Sequence, residues 1–90
     1  MNKYAARWTV VVHPDALKEL KRRPRSDADR IWNVLAEMTV SPFFGDAAKM
    51  KGEANAWRRR IGSYRILYET AIAERMIFVF RIARRTSSTY

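Results

Sequence analysis

The stretch from Asn55 to Glu69, NAWRRRIGSYRILYE, sets four arginines among aromatic and branched apolar residues and contains no histidine, cysteine or aspartate. Its β-branched and aromatic content predicts strands over Ala56–Ile61 and Tyr64–Thr70, and the intervening Gly62-Ser63 predicts a tight hairpin. Side chains alternate along a strand, so Arg58 and Arg60 share one face while Trp57, Arg59 and Ile61 share the other. In the second strand Tyr64, Ile66 and Tyr68 form one row and Arg65, Leu67 and Glu69 the opposite row. Arg65 therefore neighbours Arg58 or Arg60 across the hairpin. Arg59 interrupts the apolar row, and either a bulge re-aims it or it lies at the sheet margin. Like charges on adjacent strands destabilise a sheet, so an anionic partner is expected to compensate.

Outward from this hairpin, Met76–Ile82 reads as a third strand after a turn at Ala71–Arg75, with Phe78, Phe80 and Ile82 on one face. Near the N-terminus, Trp8–Val12 reads as another strand, stopped by Pro14. Pro14 and Asp15 suit the first turn of a helix carrying Ala16, Leu17 and Leu20, which Pro24 ends. Ser26 and Asp27 offer a cap for a second helix with Ala28, Ile31, Leu35 and Met38 on one stripe. Ser41–Asp46 is a loop by its proline and glycine, and the tail from Arg84 to Tyr90 reads as irregular. The expected fold is α+β, a βααβββ domain with a helical hairpin packed on an antiparallel sheet. Trp32, Trp57 and Phe78 are expected in its core.

A chain of 90 residues supports one core, so a single domain spanning the chain is expected. Hydrophobic residues at 48% argue against a disordered polycation. Eighteen Lys+Arg against nine Asp+Glu leave a formal charge of +9, a field that attracts nucleic acid or an acidic protein. The absence of cysteine excludes disulfides and thiol chemistry, and a single histidine leaves a metal site without its common ligands, so no metal or cofactor is expected. The sequence has no run of the roughly 18 apolar residues that read as a membrane span, and no signal-peptide pattern, which makes a cytoplasmic protein the expectation.

Guanidinium groups grip phosphate with planar, permanently charged forks, so Arg58, Arg60 and Arg65 point to a phosphate-reading surface. The run Lys18, Lys21, Arg22, Arg23 and Arg25 reads either as a solvated helix end or as a polyanion contact. Lys49 and Lys51 read either as phosphate contacts or as solubilising charges on an edge segment. His13 reads as a strand-end residue beside Pro14.

Four features together resemble the RelE/ParE superfamily of toxins from type II toxin–antitoxin modules. They are VVVHPDALKELKRRP, the Lys49-Met50-Lys51-Gly52 stretch ahead of Trp57-Arg58-Arg59-Arg60, the hairpin ending RILYE, and the final arginines with Tyr90. RelE-type members enter the ribosomal A site and cleave mRNA by attack of a ribose 2′-hydroxyl on the adjacent phosphate, whereas ParE-type members inhibit DNA gyrase. The resemblance implies catalytic roles for Arg58, Arg60, Arg65, Arg85 and Tyr90; beside them, Lys49, Lys51 and Arg84 are expected as RNA contacts on their charge. Arg58 and Arg60 stand where RelE itself has lysines, and the arginine-to-tyrosine spacing is one residue shorter. An arginine is a poor general base at neutral pH, so Tyr90 is the expected proton acceptor, with packing over a sheet edge as its structural alternative. The implied partners are an antitoxin with an acidic or amphipathic segment, mRNA and the 70S ribosome, and a toxin–antitoxin assembly on operator DNA. Two other functions fit the bulk chemistry: a ParE-like gyrase inhibitor without catalysis, and a passive basic nucleic-acid-binding domain.

Overall fold

A computed structural model describes residues 7–84; Arg85 and Tyr90 lie outside that range. The described chain runs β1 (Thr9–Val12), α1 (Pro14–Lys21), α2 (Arg25–Met38), β2 (Ala47–Lys49), β3 (Ala56–Ile61), β4 (Tyr64–Ala71) and β5 (Met76–Arg84). The strands form one five-stranded sheet in the order β1-β5-β4-β3-β2. The expected βααβββ order is present, with β2 as a short addition. The three C-terminal strands are the expected antiparallel meander, but β1 lies parallel to β5, which makes the sheet mixed. Among the described residues no helix is long and apolar enough to cross a membrane.

Both helices cover one face of the sheet. Ala16 and Leu20 from α1 and Ile31, Val34, Leu35 and Met38 from α2 pack on Ile61, Tyr64, Ile66, Tyr68, Ile77, Val79 and Ile82. Fully burying such a side chain stabilises the fold by about 1.5–3 kcal/mol, so this shared layer fixes which face of each strand turns inward. His13 is the N-cap of α1: its Nδ1 accepts a hydrogen bond from the Asp15 backbone N–H, satisfying one of the open donors of the first turn. The expected cap at Ser26 and Asp27 is corrected. Helix α2 starts at Arg25 with Pro24 as N-cap and no side-chain cap, because Asp27 instead accepts from the Tyr64 hydroxyl at 2.7 Å and ties the helix to β4.

Two core expectations are also corrected. Trp32 is 46% exposed, lying outside the buried stripe of α2, and Phe78 is 38% exposed. The cause at Phe78 is the register of β5. Ile82 pairs with Ile66 and Arg81 with Leu67, but Val79 pairs with Tyr68, so Phe80 is an extra residue opposite the Leu67/Tyr68 step. This β-bulge reverses the alternation, sending Ile77, Val79 and Ile82 inward and leaving Phe78 and Phe80 exposed.

Arg59 resolves differently from either sequence expectation. It stays on the core face, opposite Ile66, and is buried. Its Nη1 donates to the Phe44 carbonyl, its Nη2 stands 3.8 Å from Glu37 Oε1, and its guanidinium lies over the Phe44 ring. Gly45 makes this clamp possible: at φ +82°, an added Cβ would fall 2.6 Å from Arg59 Cζ. Gly45→Ala is therefore expected to cost about 1–3 kcal/mol through combined backbone strain and displacement of the guanidinium. Gly52→Ala supplies the comparison, because Gly52 shares a positive φ of +80° but has open space around it. Thermal denaturation should rank Gly45→Ala clearly below Gly52→Ala; equal losses would contradict the clamp.

Candidate functional site: an arginine face opposite the helices

The face of the sheet turned away from the helices carries the charge. Cross-strand pairing sets Arg60 directly opposite Arg65, and Arg65 opposite Ala83. The next row is Arg58, Leu67 and Arg81. Residues opposite each other share a face, so Arg58, Arg60, Arg65 and Arg81 stand together on two adjacent rows. Among the described residues none of the four makes a hydrogen bond or ion pair to a carboxylate, and the buried Nε of Arg65 has no partner. Arg58 and Arg65 are half-buried and Arg60 and Arg81 exposed, so the stems rest on the sheet while the charge stays accessible.

Sequence reading missed Arg81. Counting alternation back from Ile82 gives its face correctly, but Phe80 was grouped with Ile82 across the bulge, which hid the row. The other expected contacts scatter. Lys49 pairs with Trp57 and so belongs to the helix side, while Lys51 lies exposed in the turn after β2. Arg84 pairs with Tyr64 and borders a cleft with Asp15 and Glu19 of α1. In the basic run of the helical hairpin, Arg22 and Arg23 are engaged with Glu19, and Arg23 also lies over the Tyr64 ring. Arg85 and Tyr90, the remaining expected catalytic residues, fall outside the described residues.

The loop beside β3 is held from below by Tyr68, whose buried hydroxyl donates to the Pro42 carbonyl at 2.6 Å. Burial pushes this phenol up to about 12, partly offset by the nearby Arg59 charge, so Tyr68 is a structural hydroxyl and no proton acceptor at neutral pH.

The chain matches no protein-family model. It is 28% identical over 82 residues to the candidate toxin RelE1 of Methanocaldococcus jannaschii, covering 88% of this chain and 91% of that one. Among solved structures it resembles the toxin of the RelB–RelE antitoxin–toxin complex from Methanococcus jannaschii, at 27% identity and a TM-score of 0.71 over 89% of this chain and 98% of that one. The chain is similar to RelE toxins in sequence and in fold. Its fold also matches the archaeal RelE–RelB complex from Pyrococcus horikoshii OT3, with a TM-score of 0.80 at 21% identity over 90% of this chain and 98% of that one. The isolated Escherichia coli RelE toxin matches with a TM-score of 0.78 at 19% identity over 91% of this chain and 88% of that one. This RelE-like sheet thus combines a shared backbone with an arginine face whose charges have no internal partners among the described residues.

Two measurements probe that arrangement. Arg60→Thr removes half of the directly opposed Arg60–Arg65 pair and supplies a good strand former. It should raise stability by a few tenths of a kcal/mol while weakening polyanion binding, a divergence that thermal melts and RNA titrations of the same sample would reveal. For Tyr68, the folded chain retains a proton that the unfolded chain releases above the ordinary value of 10.0. Stability conferred by this group is therefore complete below pH 10 and lost progressively up to about 12. The stability advantage of wild type over Tyr68→Phe should shrink across that window; an advantage independent of pH would contradict the assignment.

Proposed function

We propose that this chain is the toxin of a type II toxin–antitoxin pair and acts as a ribosome-dependent mRNA endonuclease. The observation that carries this reading is the open face with Arg58, Arg60, Arg65 and Arg81 in two adjacent rows and no carboxylate paired to them. Such a surface suits a phosphodiester that gains negative charge during reaction, because the cations are in place before the charge develops. The similarity to RelE toxins from archaea supports the choice of RNA chemistry.

In this mechanism the ribose 2′-oxygen loses its proton and attacks the adjacent phosphorus. The bond to the 5′-oxygen then breaks, leaving a 2′,3′-cyclic phosphate and a 5′-hydroxyl that takes up a proton. Arg58, Arg65 and Arg85 stabilise the charge on the pentacoordinate phosphorus, and Arg60 orients the RNA or assists the leaving oxygen. Arginine stays protonated near neutrality, so proton removal falls to Tyr90, whose phenolate is favoured by surrounding guanidinium charge. No cofactor is required. The resolved structures of RelE with RelB support an antitoxin partner, and an acidic or amphipathic segment would neutralise the basic field. Lys49, Lys51 and Arg84 then serve as peripheral RNA or ribosome contacts, the cytoplasm is the site of action, and the toxin–antitoxin complex assembles on operator DNA.

Mapping mRNA 5′ ends in a translating extract tests this reading, run beside a gyrase supercoiling assay. Wild type should give new ends within A-site codons, with Arg65→Leu lowering their yield about 100-fold and Tyr90→Phe at least 10-fold. Gyrase inhibition with intact mRNA would overturn the proposal, and full activity of Tyr90→Phe would remove Tyr90 from its role.

A further inference from the structure

The row beyond Arg58, Leu67 and Arg81 on the same open face differs in kind. Ala56 is opposite Glu69, Glu69 is opposite Phe78, and Phe78 is opposite Val11 of β1. Phe78 and Val11 are 38% and 40% exposed, an adjacent apolar pair on a face otherwise dominated by arginine. A cleft of about 260 Å³ opens over this row, lined by Asn55, Ala56, Glu69 and Phe78, with Glu53 at its margin. The Asn55 backbone is fixed because its carbonyl accepts from the Thr70 N–H, while its side-chain amide makes no hydrogen bond among the described residues. Glu69 is exposed and likewise has no cation paired to it.

We propose that this cleft is a nucleobase subsite, in which Phe78 stacks on a base and Glu69, with Asn55, reads its polar edge; this rests on the RNA reading given above. Successive same-face residues along a strand are about 7 Å apart, so the three rows form a track: two rows of guanidinium groups for phosphates, then an aromatic ring with hydrogen-bonding groups. Single-stranded RNA is bound in this way, with cations following the backbone and aromatic faces receiving unstacked bases. The carboxylates select what enters. Glu69 and Glu53 would repel a phosphate or the side chains of an acidic protein segment, which disfavours both as occupants. An ionised carboxylate only accepts hydrogen bonds, so it suits the exocyclic amino group of adenine, cytosine or guanine and opposes the carbonyl oxygens of uracil. Ala56, the smallest side chain in the row, leaves the depth that a flat ring needs. The subsite would make the chain prefer an amino-bearing base two rows from the Arg60–Arg65 pair.

Fluorescence anisotropy of the full chain with single-stranded hexaribonucleotides tests the assignment; 2′-O-methyl groups prevent cleavage. Wild type should bind oligo(A) and oligo(C) several-fold more tightly than oligo(U). Glu69→Gln should reduce that preference to near equality, since an amide can both donate and accept. Phe78→Ala should weaken binding to every sequence roughly 10-fold without changing the salt dependence, and Phe78→Leu, which keeps the apolar bulk, should show the same stacking loss. Unchanged base preference and affinity in all three variants would overturn the subsite while A-site cleavage by wild type would leave the nuclease reading intact. Absence of RNA binding by wild type would overturn the subsite as well, and lack of cleavage in the extract would separately remove the nuclease. Loss of a copurifying protein partner from Phe78→Leu, with RNA binding intact, would assign the cleft to protein contact and overturn the proposal.

Discussion

A guanidinium on the apolar side of β3 holds the register on which the rest of the sheet depends. Arg59 lies among core residues, opposite Ile66, and a charge in that position is tolerable only if its donors and its volume are accommodated. The loop from Pro42 to Gly45 does most of this, although the buried Nε of Arg59 finds no partner among the described residues. It supplies a carbonyl to Nη1, an aromatic ring beneath the charge and a glycine with no side chain to obstruct it. Tyr68 fastens the same loop from the neighbouring strand. With Arg59 anchored inward, period-two alternation leaves Arg58 and Arg60 nowhere to go but the opposite face. A slip by one residue would bury both and expose Trp57 and Ile61, so the clamp and the core enforce the same pairing.

The consequence is a sheet with two unlike faces. One is a sealed apolar layer beneath the helices, and the other gathers like charges that repel each other across the Arg60–Arg65 pair. Nothing in the packing requires this second arrangement, since uncharged strand formers would serve the sheet better. Charge concentrated at a stability cost is what a surface for a polyanion looks like, and the half-buried stems of Arg58 and Arg65 limit how far the charges can retreat into solvent. The acidic and aromatic row beside Phe78 breaks the cationic pattern at one end, giving the face a polarity that a merely basic coat would lack.

Much of this was legible in the sequence because the informative segments were long and regular. The strands around Gly62-Ser63 and the two helices followed from alternation and helical spacing, and those alone separate Arg58 and Arg60 from Arg59. Strand β2 was not legible: Ala47–Lys49 has only three residues and little β propensity, and it forms because β3 offers an edge. The bulge at Phe80 carries no glycine or proline to mark it, so the face of Phe78 was misread and Arg81 overlooked. The Arg59 clamp depends on a carbonyl and a glycine far away in the sequence, which alternation cannot reveal. His13 as a helix cap was hidden because an imidazole replaces the usual hydroxyl or carboxylate.

The proposed function requires that the open sheet face, rather than the basic helical hairpin, receive RNA. The most direct measurement is NMR of the arginine Nε–Hε groups during titration with a short single-stranded RNA blocked at its 2′-hydroxyls. Saturable perturbation is expected at Arg58, Arg60, Arg65 and Arg81, with Arg59 and Arg23 unaffected in their internal contacts. Perturbation confined to Arg22, Arg25 and their neighbours on the helical side, with the sheet arginines unmoved, would contradict it.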